Sequence, residues 1–205
     1  MAGLVEYMEA YRLMKKYGIK TVQSAYVSSA QQAIKFSAGK PIVLKAISNK
    51  ALHKTKSGLV ALNLNGDSQI STAFARLTKA AEKYKPYKIL AQHMVPQGIE
   101  VIMGGREDAQ FGKLILFGLG GIYVETFKDV SIRVCPIKKT DAQSMLDDLK
   151  SKSIIAKDAK SASMLEGLLL KVSRMLVEND IKELDLNPLI LHDGTYDAVD
   201  LRILK

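Results

Sequence analysis

Apolar positions along this chain alternate between two periods. Leu4, Tyr7, Met8, Tyr11 and Met14 recur at helical spacing and Gly18 follows as a stop, so a helix opens the chain. Residues 21–27 read as a short strand and 28–38 as a helix capped by serine. Residues 41–47 are a β-branched run too short for a helix, which predicts a buried strand, and 58–64 predict another. Asp67 is expected to cap a helix whose Ile70, Ala73, Phe74 and Leu77 fall at i, i+3, i+4 and i+7. Beyond Pro86 strand-like runs dominate, at 88–95, 100–104, 113–117 and 122–127. Seven of the fourteen glycines lie between Gly98 and Gly121, which points to an antiparallel sheet with tight turns. Two helices follow, at 140–149 and from Ser163. The second has the capping-box spacing Ser163-x-x-Glu166 and an apolar face of Leu165, Leu168, Leu169, Val172 and Leu176. Strands at 184–191 and 195–203 close the chain. The order predicts an α/β half and then a mainly antiparallel half with its own helices, an α+β protein of two lobes with a cleft between them.

Composition narrows the class. With 205 residues and 47% hydrophobic content the chain can bury a substantial core. No apolar run reaches the roughly 18–20 residues of a membrane span. The stretch 4–17 carries Glu6, Glu9 and Arg12 in place of a signal-peptide pattern, so a cytoplasmic protein without a membrane partner is expected. The single Cys135 rules out an intramolecular disulfide framework and a cysteine-based zinc cluster. A net charge of +9 raises nucleic-acid binding, but there is no Trp, aromatics are 6%, and no basic stretch is interleaved with stacking residues. A lysine-rich solvated surface is the preferred explanation, and no nucleic-acid partner is expected.

The distribution of charge says more than its sum. No Asp or Glu occurs from Ala10 to Gly66, whereas Glu178, Asp180, Glu183, Asp185, Asp193, Asp197 and Asp200 crowd around Asn187. A basic half facing an acidic half would accommodate a polyphosphate and its divalent metal.

Five segments carry candidate chemistry. Lys45 sits mid-strand, either on an edge facing solvent or lining a cleft as a point charge for phosphates. The loop 48–58, with His53-Lys-Thr-Lys-Ser-Gly58, can cradle a phosphate, or His53 can accept a phosphoryl group; a solvated connection is the plainer alternative. His93, in an apolar strand, and His192, beside Asp193-Gly194, read as structural or exposed. Phe117-Gly-Leu-Gly-Gly121 lacks the strand–turn–helix context of a dinucleotide or phosphate loop, and its glycines serve either close approach to a ligand or a turn. Lys128 and Arg133 follow and can reach phosphate. Finally, Glu183, Asp185 and Asn187 share one face of a strand, and an Asp193-Gly194 hairpin returns Asp200 beside Asn187, either as neighbouring oxygen ligands for Mg²⁺ or as an acidic solvent face.

In order, Tyr17-Gly-Ile19, Pro41-Ile-Val-Leu-Lys45, His53-Lys-Thr55, Val95-Pro-Gln-Gly-Ile-Glu-Val101, Phe117 through Glu125, Lys128-Asp-Val-Ser131, Asp185-Leu-Asn-Pro188 and Val199-Asp200 resemble the ATP-grasp (β) subunit of NDP-forming acyl-CoA synthetases, of which ADP-forming acetate–CoA ligase is the best-known member. The resemblance runs nearly end to end. It implies an ATP-grasp fold with lobes at 1–92 and 93–205 and the nucleotide in the cleft. It implies that Lys45 contacts phosphates, that Gln92 and the backbone near Met94 receive adenine, and that Glu100 holds the ribose. Lys128 and Arg133 would add phosphate contacts, and Asn187 and Asp200, with Asp185 beside them, would bind Mg²⁺. His53 would receive or relay the phosphoryl group. The implied cofactors are ATP or ADP with Mg²⁺. The implied partner is a CoA-binding α subunit carrying a phosphohistidine, in a hetero-oligomer. The alternative within the fold is a non-catalytic or differently specific nucleotide-binding subunit, for example one like succinyl-CoA synthetase. One departure stands out: Lys56 and Ser57 replace the Asp and first Gly that usually follow the family's histidine motif, removing a carboxylate three residues from His53.

Overall fold

The computed structural model describes residues 3–50, 58–121 and 129–205. His53, Lys128 and the strand expected at 122–127 lie outside them. The chain divides into two compact units, Val22–Val95 and a second that joins Pro96–Lys205 to the N-terminal stretch ending at Thr21. This departs from a simple division at 92/93. The reason is backbone pairing at both ends of that stretch: the Val5 N–H donates to the Ile203 carbonyl at 2.9 Å, and Thr21 bridges Ala198. Between them α1 (Tyr7–Lys16) buries Tyr7, Ala10, Tyr11 and Met14, the stripe its spacing predicts.

The unit Val22–Val95 is a four-stranded sheet covered on one face by helices. Its strands are β1 (Ser24–Val27), β2 (Ile42–Ile47), β3 (Val60–Leu64) and β4 (Lys88–His93), in the order β1-β4-β2-β3 with every pair antiparallel. Ser29 accepts from the Gln32 N–H and so caps α2 (Ala30–Ser37). The helix α3 (Asp67–Ala81) begins one residue earlier than a cap at Asp67 allows: Gly66 is the N-cap, with no side-chain bond, and Asp67 occupies the first turn. Ile42, Leu44, Ala46, Ile89 and Ala91 meet Ile70, Ala73 and Leu77 in one apolar cluster. By the two-residue alternation of a strand, Lys45, Leu90 and Gln92 therefore occupy the other face.

The second unit holds β5 (Ile99–Asp108), β6 (Gly112–Leu119), β7 (Val130–Val134), β8 (Glu183–His192), β9 (Thr195–Ala198) and β10 (Leu201–Leu204). The order is β10-β8-β5-β6-β7, and β9 lies beside β10 along the same side of β8. The strand expected at 195–203 thus breaks in two at Val199-Asp200. The helices are α4 (Lys139–Asp147), the short α5 (Lys152–Ile155) and α6 (Ala159–Glu178). Ser163 is not the start of α6: Asp158 caps it by accepting from the Ser161 N–H, and Ser163 sits in its second turn. Leu165, Leu168, Leu169, Val172 and Leu176 are all buried, as the apolar periodicity predicts. Among the described residues no helix is long and apolar enough to cross a membrane.

Candidate functional site

In the unit Val22–Val95, Lys45 is 5% exposed on a strand flanked on both sides, by Leu90 of β4 and Val60 of β3. An edge strand with its lysine in solvent is therefore excluded. Gln92 is buried on the same face, its Nε2 donating to Ser24 Oγ at 2.9 Å, and the Ser24 hydroxyl donates to the Val22 carbonyl at 2.8 Å. Met94 is 38% exposed, but its N–H donates to the Pro41 carbonyl at 3.0 Å. That N–H is committed to the fold, which leaves carbonyl groups and later N–H groups of the segment for a base. His93 stacks on Phe36 with ring centroids 4.7 Å apart, and burial, aided by Lys40, pushes its pKa down. It is structural.

In the second unit the acidic strand and its return behave as the alternation predicts. Asp193 and Gly194 both have positive φ, 47° and 68°, the geometry that an Asp-Gly two-residue hairpin requires. The Asn187 N–H donates to the Asp200 carbonyl at 3.3 Å and the Val199 N–H to the Pro188 carbonyl at 3.1 Å. These two bonds carry the pairing across the break between β9 and β10 and set Asn187 beside Asp200. Asp185 pairs with Arg202, and the Arg202 guanidinium lies 3.5 Å from Glu183 Oε1. Partial enclosure, then the charges of Asp200 and Glu183, raise the Asp185 pKa above its ordinary value, with Arg202 opposing. Carboxylates that repel one another in this way are what a bound cation relieves.

The register extends this face. Ile132, Leu116, Gly104, Asp185 and Arg202 form one row across five strands, and Ile102 and Glu100 continue the same face along β5. Glu100 is exposed, and a Cβ on Gly121 would stand 3.2 Å from its Oε2. Glu100 also borders a cavity of about 760 Å³ lined by Ile99, Leu119, Gly120, Asp129, Ser151 and Ile154 among others.

Arg133 belongs elsewhere. It pairs with Ile115 and so lies on the opposite, helix-bearing face, where it donates to Ser144 Oγ at 2.8 Å and Asp148 Oδ2 at 2.7 Å. Ser131 Oγ donates to the same carboxylate at 2.7 Å. The expected phosphate contact from Arg133 is thus corrected to a clamp between β7 and α4. Asp129 does related work, accepting from the Lys150 and Ser151 N–H groups, each at 2.9 Å. Burial pushes its pKa up, but the nearby Ser151 side chain and those two N–H groups outweigh it, and the net shift is downward. The glycines at 118 and 120 serve packing: a Cβ on Gly118 would land on the Asp129 carbonyl oxygen, and one on Gly120 would stand 2.9 Å from the Glu100 carbonyl carbon. His192 Nε2 lies 2.8 Å from Asp197 Oδ2, and Lys20 completes that pair at 3.1 Å, so the hairpin histidine is structural as well.

Asn187, Asp185 and Asp200 offer hard oxygen donors, and among the described residues no group of three or more His, Cys, Asp or Glu is arranged to hold a metal alone. Such a donor set fits Mg²⁺ completed by phosphate oxygens and water. Arg202 escaped the sequence reading, although the spacing Asp200-x-Arg202 on a strand was the signal that could have found it.

The family model described as ATP-grasp domain matches residues 2–204. The β subunit of acetate–CoA ligase [ADP-forming] I from Pyrococcus furiosus is 36% identical, with 96% of this chain and 89% of that one covered. The dinucleotide-forming acetyl-coenzyme A synthetase 1 of Ca. Korarchaeum cryptofilum, solved with coenzyme A and Ca-AMPCP, superposes with a TM-score of 0.89 at 33% identity, covering 99% of this chain and 93% of that chain. Another structure of the same enzyme, with coenzyme A, Mg-AMPPCP and a phosphohistidine segment pointing towards the nucleotide binding site, gives 0.84 at 33%, covering 98% and 92%.

Proposed function

Because this chain belongs to the ATP-grasp domain family, we infer that it is the nucleotide-binding subunit of an NDP-forming acyl-CoA synthetase of the acetate–CoA ligase type. The observation that carries this is the pairing of Asn187 with Asp200 on a face that also bears Asp185 and Glu100. It is an oxygen-donor site for a metal, and a carboxylate for ribose hydroxyls shares its surface.

Asn187 and Asp200 would hold Mg²⁺, with Asp185 beside them. When bound, Mg²⁺ neutralises phosphate charge and fixes the orientation of the phosphate chain. Lys45 supplies a fixed ammonium for the phosphates. Lys128 adds a phosphate contact. Gln92 and the chain around Met94 receive the base, and Glu100 accepts the ribose hydroxyls. Phosphoryl transfer is mainly positioning and charge neutralisation, which is the equipment these residues represent.

In the direction of ATP synthesis a CoA-binding partner chain presents a phosphohistidine. The P–N bond to the imidazole breaks as a P–O bond to a terminal oxygen of ADP forms, and the released nitrogen takes up a proton. His53 is the candidate to receive or relay the phosphoryl group on this chain; by that route the partner's P–N bond would break as one to His53 forms, and the His53 P–N bond would break in turn as the P–O bond to ADP forms. The partner, not this chain, would bind CoA and choose the acid.

The test is reconstitution with the CoA-binding partner, following ATP formed from acyl-CoA, phosphate and ADP. The proposal expects activity that requires both chains and Mg²⁺ and is lost in Asp200→Ala. Full activity in His53→Ala would remove the relay role from His53 while leaving the nucleotide site.

A further inference from the structure

The order of residues on the shared face of β5, β8 and β10 gives a bound nucleotide a direction. Glu100 pairs with Ile190, three residues to one side of Asn187, whereas Asp185 lies two residues to the other side and pairs with Arg202. Because β8 carries one extra residue opposite Ile102, the span from Ile190 to Asn187 matches two residues of β5, so at about 3.3 Å per residue the position facing Glu100 is roughly 7 Å from Asn187, and Asp185 is roughly 7 Å beyond it. A nucleotide with its ribose at Glu100 and its metal at Asn187 and Asp200 therefore runs its phosphate chain toward Asp185 and Arg202.

That end of the face is acidic. Glu183, Asp185 and Asp200 would repel a terminal phosphoryl group unless a cation met it there. Arg202 brings a guanidinium to this position, with 47% of its side chain exposed. Its contact with Glu183 is long, 3.5 Å, and a guanidinium has five donors in a fixed fork suited to phosphate oxygens.

We propose that Arg202 binds the terminal phosphoryl group, contacting the γ-phosphate of ATP and not the phosphates of ADP. The proposal rests on the nucleotide role inferred above. In the transfer step the guanidinium would meet the charge on the phosphoryl oxygens. Arg202 would then be a catalytic residue, set apart from Lys45 by acting only on the group in transit.

The experiment is calorimetric titration of the full chain, without a partner, with Mg-ATP and separately with Mg-ADP, in wild type, Arg202→Gln and Arg202→Lys. A lost charge-assisted contact predicts about tenfold or greater weakening for ATP in Arg202→Gln, with ADP within about twofold and Arg202→Lys in between. Parallel weakening of both nucleotides would reduce Arg202 to a general electrostatic contribution and overturn the proposal. So would unchanged binding of both. If Arg202→Gln does not fold, the same ATP-to-ADP comparison in Arg202→Lys decides, since an ammonium cannot reproduce the fork. Failure of wild type to bind either nucleotide would instead overturn the nucleotide role itself, and this proposal with it.

Discussion

The main-chain N–H of Asn187 donates to the carbonyl of Asp200 at 3.3 Å, so two oxygen-bearing side chains thirteen positions apart become cross-strand neighbours. Neither residue could be moved along its strand without losing this relationship. The Asp193-Gly194 turn sets the register, and the interruption at Val199-Asp200 lets β9 and β10 share the same side of β8.

Asp185 holds its negative charge at a cost. Enclosure, Asp200 and Glu183 raise its pKa, so the folded protein binds this proton more tightly than the unfolded chain does. At neutral pH the ionised group therefore opposes folding, and the opposition fades as pH falls through the raised pKa. Asp185→Asn should raise the melting temperature of the metal-free protein at pH 7 and weaken Mg²⁺-dependent nucleotide binding. Differential scanning calorimetry with EDTA, paired with a nucleotide titration, checks both.

Arg133 and Asp148 should behave as a structural pair. Arg133→Ala or Asp148→Ala is expected to lower thermal stability, and the double variant to cost less than the two single effects added together, because one contact is lost in all three. Affinity for Mg-ADP should stay within about twofold, since this clamp is on the helix-bearing face. A large loss of affinity with unchanged stability would return Arg133 to the nucleotide site.

Gly118→Ala tests the packing role of the glycine cluster. Its new methyl would collide with main-chain atoms of Asp129 and Val130, which cannot swing aside as a side chain can. A loss of about 1–3 kcal/mol in urea unfolding is expected. An unchanged midpoint would mean that β6 and β7 separate more easily than their register suggests.

Asp129 predicts an acid-sensitive step. Its pKa is lowered in the folded protein, so its contribution to stability is complete above the ordinary carboxylate range and is lost as pH falls through the lowered value. Asp129→Asn should reduce stability at pH 7 and flatten the pH dependence as pH falls below about 5. Urea midpoints measured across that range would show a parallel, undiminished slope if Asp129 is not responsible.

The parts of this protein that were legible in its sequence are those governed by short-range rules. The stripe of α1, the period of α6, the buried run of β2 and the Asp-Gly hairpin all follow from local spacing and turn chemistry. Lys45 could not be assigned to an edge or an interior strand, because strand order is decided by pairings far apart in the chain. The same limit hid the face of Arg133 and the attachment of the N-terminal stretch to Ile203 and Ala198. The helix starts at Asp67 and Ser163 differ from expectation for two reasons: at α3 Gly66 takes the cap position without a side-chain bond, and at α6 an earlier polar residue, Asp158, caps the helix. Arg202 was overlooked because a cation among carboxylates looks like ordinary surface pairing until the register puts it opposite Asp185.

The most direct test is a thermal-shift titration of the full chain with ADP in the presence of Mg²⁺ and again with EDTA, for wild type, Lys45→Ala and Asp200→Ala. A ligand that binds only the folded state at about 100 times its dissociation constant adds roughly 2.7 kcal/mol. A Mg²⁺-dependent rise in melting temperature in wild type, abolished by EDTA and by Asp200→Ala and reduced in Lys45→Ala, is the predicted result. An ADP shift equal in all three proteins and indifferent to EDTA would contradict both the metal site at Asn187 and Asp200 and the phosphate role of Lys45.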